Sequence, residues 1–344
     1  MNPGVVITVY NEARSGWRER ENADGSRTWQ YEDELSERHG GNELLATLDD
    51  LRATEGDVPV VVVDDASDDG CCDRAGEYGA ELVRHKKRYG IGYSRTDGVA
   101  HLPPECDTVM FLDAHMRVSG GCVRFCSELA LEHNAVVWPD TRGLRDRPRY
   151  KTLKRGRKQE TWTGHGARPR TLPQAKERGV LFRYSWQNDR PVDRLSRTHA
   201  LISPGYTIPL SVWRRMPIGR QTRGFGGNEP MIWVKAFFLD VPILHTCDAM
   251  VRHLFRAGTA HYTATNKEVY RNMAILARTA FSARTWDRYW WPAVFEPGVT
   301  KATKAVLDSD ELWEAHLRFQ HEKRRSDVEF WRGLTLEPVP EELA

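Results

Sequence analysis

The chain has little that would tie it to a membrane, a disulfide scaffold or a polyelectrolyte. Its opening apolar run, Val5-Val6-Ile7-Thr8-Val9, is far too short to span a bilayer, and no basic segment precedes it, so neither an anchor nor a secretion signal is expected. Six cysteines in 344 residues, with no C-x-x-C pair, argue against a zinc ribbon and a disulfide framework; reduced thiols in a microbial or viral cytoplasm are the expectation. Fifty basic residues against 48 acidic ones leave a formal charge of +2, which confines any affinity for an acidic partner to a local patch. No internal repeat and no compositional linker interrupts the sequence. What remains is an ordinary globular chain, 40% hydrophobic, long enough for one large α/β domain or two small ones.

The first half alternates between two periodicities. Residues 5–10 and 58–63 are continuous apolar runs of strand length, 80–84 is a shorter one, and 108–112 is a fourth. Between them, residues 43–54 place Leu44, Leu45, Leu48 and Leu51 at helical spacing, and 91–100 reads as a second helix. Strands alternating with helices predict a Rossmann-like, mostly parallel sheet flanked by helices, whose ligands gather at the carboxyl ends of the strands. Asp64, Asp65 and Asp113 all fall at such ends. Residues 14–41 form a polar insertion, expected to be a surface loop or flap. Residues 142–158 hold nine basic side chains and one acid, Asp146, in a stretch that continues as a loop to about residue 172. Residues 266–344 read as a helical, Trp-rich C-terminal extension to a domain of residues 1–265.

The chemistry concentrates at Phe111-Leu112-Asp113-Ala114-His115. Residues two apart in an extended chain point to one side, so Asp113 and His115 can converge on a single ion. A mixed oxygen and nitrogen pair suits a divalent ion such as Mn²⁺ better than a structural zinc. Taken alone, the tripeptide is equally a strand-end aspartate capping a turn beside an exposed histidine. Asp64-Asp65, followed by Ser67 and Asp68, can likewise be a helix cap or a pair of acceptors for a uracil N–H and a ribose hydroxyl.

Four further segments, in order, narrow the reading: Thr8-Val9-Tyr10-Asn11-Glu12 after the first strand, Val63-Asp64-Asp65-Ala66-Ser67 after the second, Gly226-Gly227-Asn228-Glu229, and His253-Leu254-Phe255-Arg256. With the Asp113-x-His115 element they resemble the GT-A fold nucleotide-sugar glycosyltransferases, and among them the polypeptide N-acetylgalactosaminyltransferases, over about residues 5–270. The resemblance implies a retaining transferase that uses Mn²⁺ and a UDP-sugar. It implies Asp113, His115 and His253 as metal ligands and Arg256 as a phosphate contact. Glu229 would be a further catalytic-site residue. Thr8, Tyr10, Glu12, Asp64, Asp65, Arg88 and the mobile-loop Tyr262 would contact the donor.

The sequence departs from that family at Phe225, where a tryptophan is usual, and at Asn228-Glu229, where the order is reversed; a lectin-like β-trefoil has no counterpart here. A protein Ser or Thr hydroxyl is the acceptor the resemblance implies. Hydroxymethylated bases of viral DNA are the alternative acceptor, motivated by the basic segment 142–158. A non-catalytic sugar-nucleotide-binding module and a metallohydrolase, the latter from a two-histidine, one-carboxylate set with an open position, are the readings outside transferase chemistry.

Overall fold

The computed structural model describes residues 1–144, 163–169, 182–187, 193–201, 205–216, 218–255, 265–334 and 339–343. Its strands are β1 (Pro3–Val9), β2 (Trp17–Glu21), β3 (Arg27–Tyr31), β4 (Val60–Asp64), β5 (Glu81–Arg84), β6 (Thr108–Asp113) and β7 (Met116–Val118). They continue with β8 (Val136–Gly143), β9 (Thr163–Pro169), β10 (Phe182–Gln187), β11 (Leu195–Thr198), β12 (Tyr206–Pro209) and β13 (Ile243–His253). The main sheet has the order β11-β13-β8-β12-β6-β1-β4-β5, with β7 added against β13.

The runs of β-branched residues in β1 and β4 are buried on both faces, as a parallel sheet requires. β5, β4, β1 and β6 pair in parallel, as do β8 and β13, while β12 lies antiparallel between β6 and β8. Two apolar clusters cover the two faces. One joins Val6, Val63, Phe111 and Trp138 to the helix Asn228–Phe238 and to the C-terminal helices. The other joins Ile7, Val62 and Leu112 to the helices Glu43–Glu55 and Cys122–Glu132. Asn42 starts the first of these helices, its side chain accepting from the Leu45 N–H.

The C-terminal helices complete the sheet's core. Trp290 and Trp331 are fully buried, their rings stacked with centroids 5.7 Å apart, and both belong to the cluster that holds Val6 and Phe111. The tryptophans therefore serve packing, as so many large apolar rings in one helical region suggest. No described helix is long and apolar enough to cross a membrane.

The insertion at 14–41 differs from the loop that its polarity suggests. β2 and β3 pair as an antiparallel hairpin, and Asp33 caps the short helix Glu34–Arg38. Gly25 adopts φ 82° in the turn, so Asp24-Gly25 between two strand-length segments was the available hairpin signal. Its root is anchored by Arg117 of β7. The buried guanidinium meets Asp33 and Glu43 at 3.0 Å each. Trp29 on β3 is 63% exposed. The basic segment 142–158 lies outside the described residues apart from Arg142, which pairs with Asp140 at 3.3 Å, together with Gly143 and Leu144.

Within the helix Asn228–Phe238 sits Lys235, 1% exposed, its ammonium 5.5 Å from the centre of the Phe319 ring. Burial pushes its pKa down from 10.5 to about 7. The folded chain thus releases this proton near pH 7 and the unfolded chain only near 10.5. Between those values the unfolded chain binds more protons, so stability rises with pH. Lys235→Met should flatten that rise and stabilise the protein at neutral pH by about 1–4 kcal/mol, read as urea midpoints across the window.

Candidate metal and nucleotide site

Two strand ends and one turn supply the central cluster. Asp113 closes β6, His115 lies in the turn between β6 and β7, and His253 closes β13. β7 pairs with β13 so that His253 lies opposite Met116, the neighbour of His115. The candidate ligand atoms of Asp113, His115 and His253 all lie within 4.8 Å of one another. His253 Nε2 is 3.3 Å from Asp113 Oδ2, and the two imidazole centroids are 4.7 Å apart. All three residues are partly exposed, so a ligand from solvent can reach them.

The surroundings orient each member. Nδ1 of His115 lies 3.1 Å from Oε1 of the buried Glu12. A carboxylate accepts only, so Nδ1 carries the proton and Nε2 is left as a lone-pair donor, the arrangement that metal-binding histidines need. Glu12, which the resemblance implies as a donor contact, thus meets His115. Below the carboxylate of Asp113, Arg95 is fully buried. Its Nη2 lies 3.4 Å from Asp113 Oδ1, its Nη1 donates to the Tyr206 hydroxyl at 3.1 Å, and its guanidinium covers the Phe111 ring.

Charge is balanced tightly here. Burial works to raise the Asp113 pKa, but the hydrogen bond and charge of His253, then Arg95 and His115, outweigh it and hold the carboxyl well below the usual carboxylate range. Burial likewise opposes the Arg95 charge, yet Tyr206, Asp113 and Glu229 keep the guanidinium protonated. The Tyr206 hydroxyl is pushed up to about 12, chiefly by burial. Glu229 thus acts on this group electrostatically from the first turn of the helix Asn228–Phe238, which Gly227 opens at φ 82°.

A second group lines the neighbouring strand ends. Thr8 on β1 is paired with Asp113 on one side and Val63 on the other. The Arg88 guanidinium stacks over Tyr10, 4.7 Å from the ring centre. Asp64 accepts from the Ser67 N–H at 2.8 Å and lies 3.7 Å from Arg84. Asp65 is engaged more fully. One oxygen meets His85 Nδ1 and the Tyr89 N–H, the other accepts from the Gly90 N–H. Both oxygens of Asp65 thus hold the 85–90 segment in place, whereas the local turn contact belongs to Asp64. Arg256 and Tyr262 lie outside the described residues.

Sequence reasoning missed Arg95 and Tyr206. The one available signal was an arginine on the sheet-facing side of an otherwise small-residue helix, Ile91–Ala100, which is readable only once the packing is known.

Residues 37–186 match a family model described as glycosyl transferase family 2. GalNAc-T7, solved with UDP, GalNAc and Mn²⁺, is similar with a TM-score of 0.64 at 13% identity, over 97% of this chain and 57% of that one. The chain thus has the GT-A fold and spans little more than half the length of this neighbour. TarS of S. aureus with UDP-GlcNAc has a TM-score of 0.48 at 14% identity, covering 98% of this chain and 77% of that one. The mannosyltransferase PcManGT of Pyrobaculum calidifontis with GDP-Man and Mn²⁺ has a TM-score of 0.45 at 12% identity, over 93% and 73%. No curated protein sequence matches the chain.

The contact between Glu12 and His115 can be tested directly. Glu12→Gln removes the acceptor charge behind the imidazole and should weaken Mn²⁺ binding about 10–100-fold. Manganese titration followed by electron paramagnetic resonance measures this, with a thermal melt to show the fold intact.

Proposed function

We propose that this glycosyltransferase-family-2 chain is a Mn²⁺-dependent transferase that moves a hexose or N-acetylhexosamine from UDP to an acceptor hydroxyl with retention. The observation that carries the reading is the convergence of Asp113, His115 and His253 at the carboxyl edge of a GT-A sheet, with Glu12 fixing the His115 tautomer. The oxygen and nitrogen donors fit a divalent ion of the manganese type. Asp113, His115 and His253 would hold such an ion, which would supply positive charge to offset that of the departing UDP.

The chain's own residues have separable tasks in this reading. His253, and after it Arg95, keep Asp113 ionised. The hydrogen bond from His253 to Asp113 marks where a cation replaces a proton. Asp64 is the candidate acceptor for the uridine, and the Arg88–Tyr10 stack flanks the same strand ends. Asp65 serves the donor indirectly by holding the 85–90 segment. Arg256 and Tyr262 are assigned to phosphate binding and donor cover by resemblance. Retention lets the leaving phosphate oxygen take the acceptor proton, so no second carboxylate is required as base. A protein Ser or Thr hydroxyl is the proposed acceptor.

Asp113→Ala and His253→Ala should each abolish transfer; each should also lower the melting temperature without abolishing the cooperative transition, because each strips a charged partner from the Arg95–Asp113–His253 group. A UDP-sugar panel with protein substrates, assayed by mass spectrometry with and without EDTA, tests the reading; full turnover in excess EDTA would overturn it.

The acceptor class is tested through the basic segment. Neutralising Arg147, Arg149, Lys154, Arg155 and Arg157 should leave transfer to protein nearly intact and insensitive to salt. For a DNA acceptor, the same variant would instead lose affinity and flatten the salt dependence by roughly 0.7–0.9 log unit per phosphate contact removed. Fluorescence anisotropy on duplex and single-stranded DNA distinguishes the two.

A further inference from the structure

The longest strand of the sheet, β13, is interrupted. Thr246 pairs with Pro139 and Met250 with Asp140, although Pro139 and Asp140 are consecutive on β8. Cys247, Asp248 and Ala249 are therefore extra on β13 and form a bulge. An odd number of inserted residues reverses the pleat. Before the bulge, odd-numbered Ile243 enters one apolar cluster and even-numbered Leu244 the other; after it, odd-numbered Val251 enters the cluster that holds Leu244. His245 and His253 would share a face on an unbroken strand, and the bulge sends them to opposite faces.

A second group of metal-competent side chains sits at this interruption. Ligand atoms of Asp140, His245 and Cys247 lie within 4.8 Å of one another. Asp140 is 1% exposed and His245 is fully buried, while Cys247 is half-buried. Among the described residues, Oδ1 of Asp140 and both ring nitrogens of His245 have no hydrogen-bond partner. Arg142 engages only the other carboxylate oxygen, and His245 otherwise packs its ring against Trp138, with centroids 4.5 Å apart. Leaving three buried polar atoms unsatisfied costs about 1–3 kcal/mol for each. They face one another across 3.6 Å, from Asp140 Oδ1 to His245 Nε2. That separation is too long for a hydrogen bond and close to the ~3.4 Å between neighbouring ligands of a tetrahedral ion with ~2.0–2.1 Å bonds.

We propose that Asp140, His245 and Cys247 form a second metal site, which takes Zn²⁺ or a similar thiophilic divalent ion and clamps the bulge of β13. Binding releases the Cys247 proton to solvent and joins the thiolate to the ion, with water completing the shell. The sulfur donor selects against Mn²⁺, so the two clusters sort ions by donor softness: the Asp113 group keeps the harder metal and the Cys247 group the softer one. The clamp fixes the bulge at its ends, with Asp140 on β8 and His245 before the bulge on β13, and so holds the phase in which His253 reaches Asp113. On the outer side the Arg194 carbonyl accepts from the Cys247 N–H at 2.9 Å and the Arg194 guanidinium meets Asp248, so the bulge is already shaped before an ion arrives.

Cobalt supplies the test, since a cobalt–thiolate bond gives an intense near-ultraviolet charge-transfer band that oxygen and nitrogen ligands do not. Protein stripped with chelator and titrated with Co²⁺ should develop this band. Asp113→Ala should retain it and Cys247→Ser should lose it. Zn²⁺ should also slow alkylation of Cys247 by iodoacetamide in the unmutated protein, mapped by peptide mass spectrometry, a readout that needs no variant to fold. Absence of the band, its survival in Cys247→Ser, or equal alkylation with and without Zn²⁺ would each overturn the proposal. None of these readouts uses transfer activity, so their failure is separable from failure of the transferase reading.

Discussion

Asp113 is a carboxylate kept charged in a place that disfavours charge, and the working edge of the sheet is organised around that constraint. Burial by itself raises its pKa. The counter-charge comes from Arg95 beneath the strand and from His253 above it, two residues 158 positions apart that meet only because β6 and β13 end at the same edge. Arg95 is itself expensive to bury, and it is tolerated because Tyr206, Phe111 and Asp113 together replace the water it has lost. Removing any one partner leaves an uncompensated charge in the interior, so the group acts as one unit.

The second constraint is one of phase. A strand offers alternate residues to alternate faces, yet β13 must contribute Ile243 to one core and both Leu244 and Val251 to the other. Uninterrupted alternation cannot meet all three demands. The three-residue bulge resolves the conflict, and it brings Cys247 beside Asp140 and His245. The two polar clusters are thus related through the backbone of one strand.

Much of the architecture was legible because it is local. The β-branched runs at 5–10 and 58–63, the leucine spacing in 43–54 and the small-residue helix at 91–100 each specify their own element, and β1, β4, the helix Glu43–Glu55 and the helix Ile91–Ala100 follow them closely. Asp113 and His115 were legible for the same reason, as strand-end residues two apart. The hairpin at 17–31 was not, because its polar strands carry no apolar alternation; its signal was confined to the Asp24-Gly25 turn. Glu12 could not be read as a partner of His115 from 103 residues away, and the bulge of β13 exists only relative to β8. Interactions fixed by register between distant segments leave no periodic trace in the sequence.

The shared core has a bearing on how the protein is made. Val6 and Phe111 emerge early during synthesis, yet Trp290 and Trp331, which belong to the same apolar cluster, are added between 179 and 325 residues later. The helix Asn228–Phe238 is likewise made before the helix Asn266–Ala280 that packs against it. A nascent chain paused after β13 would present a wide greasy surface, the kind of intermediate that chaperones hold and that aggregates without them. Folding yield should therefore depend on how quickly the ribosome completes the last quarter of this sequence.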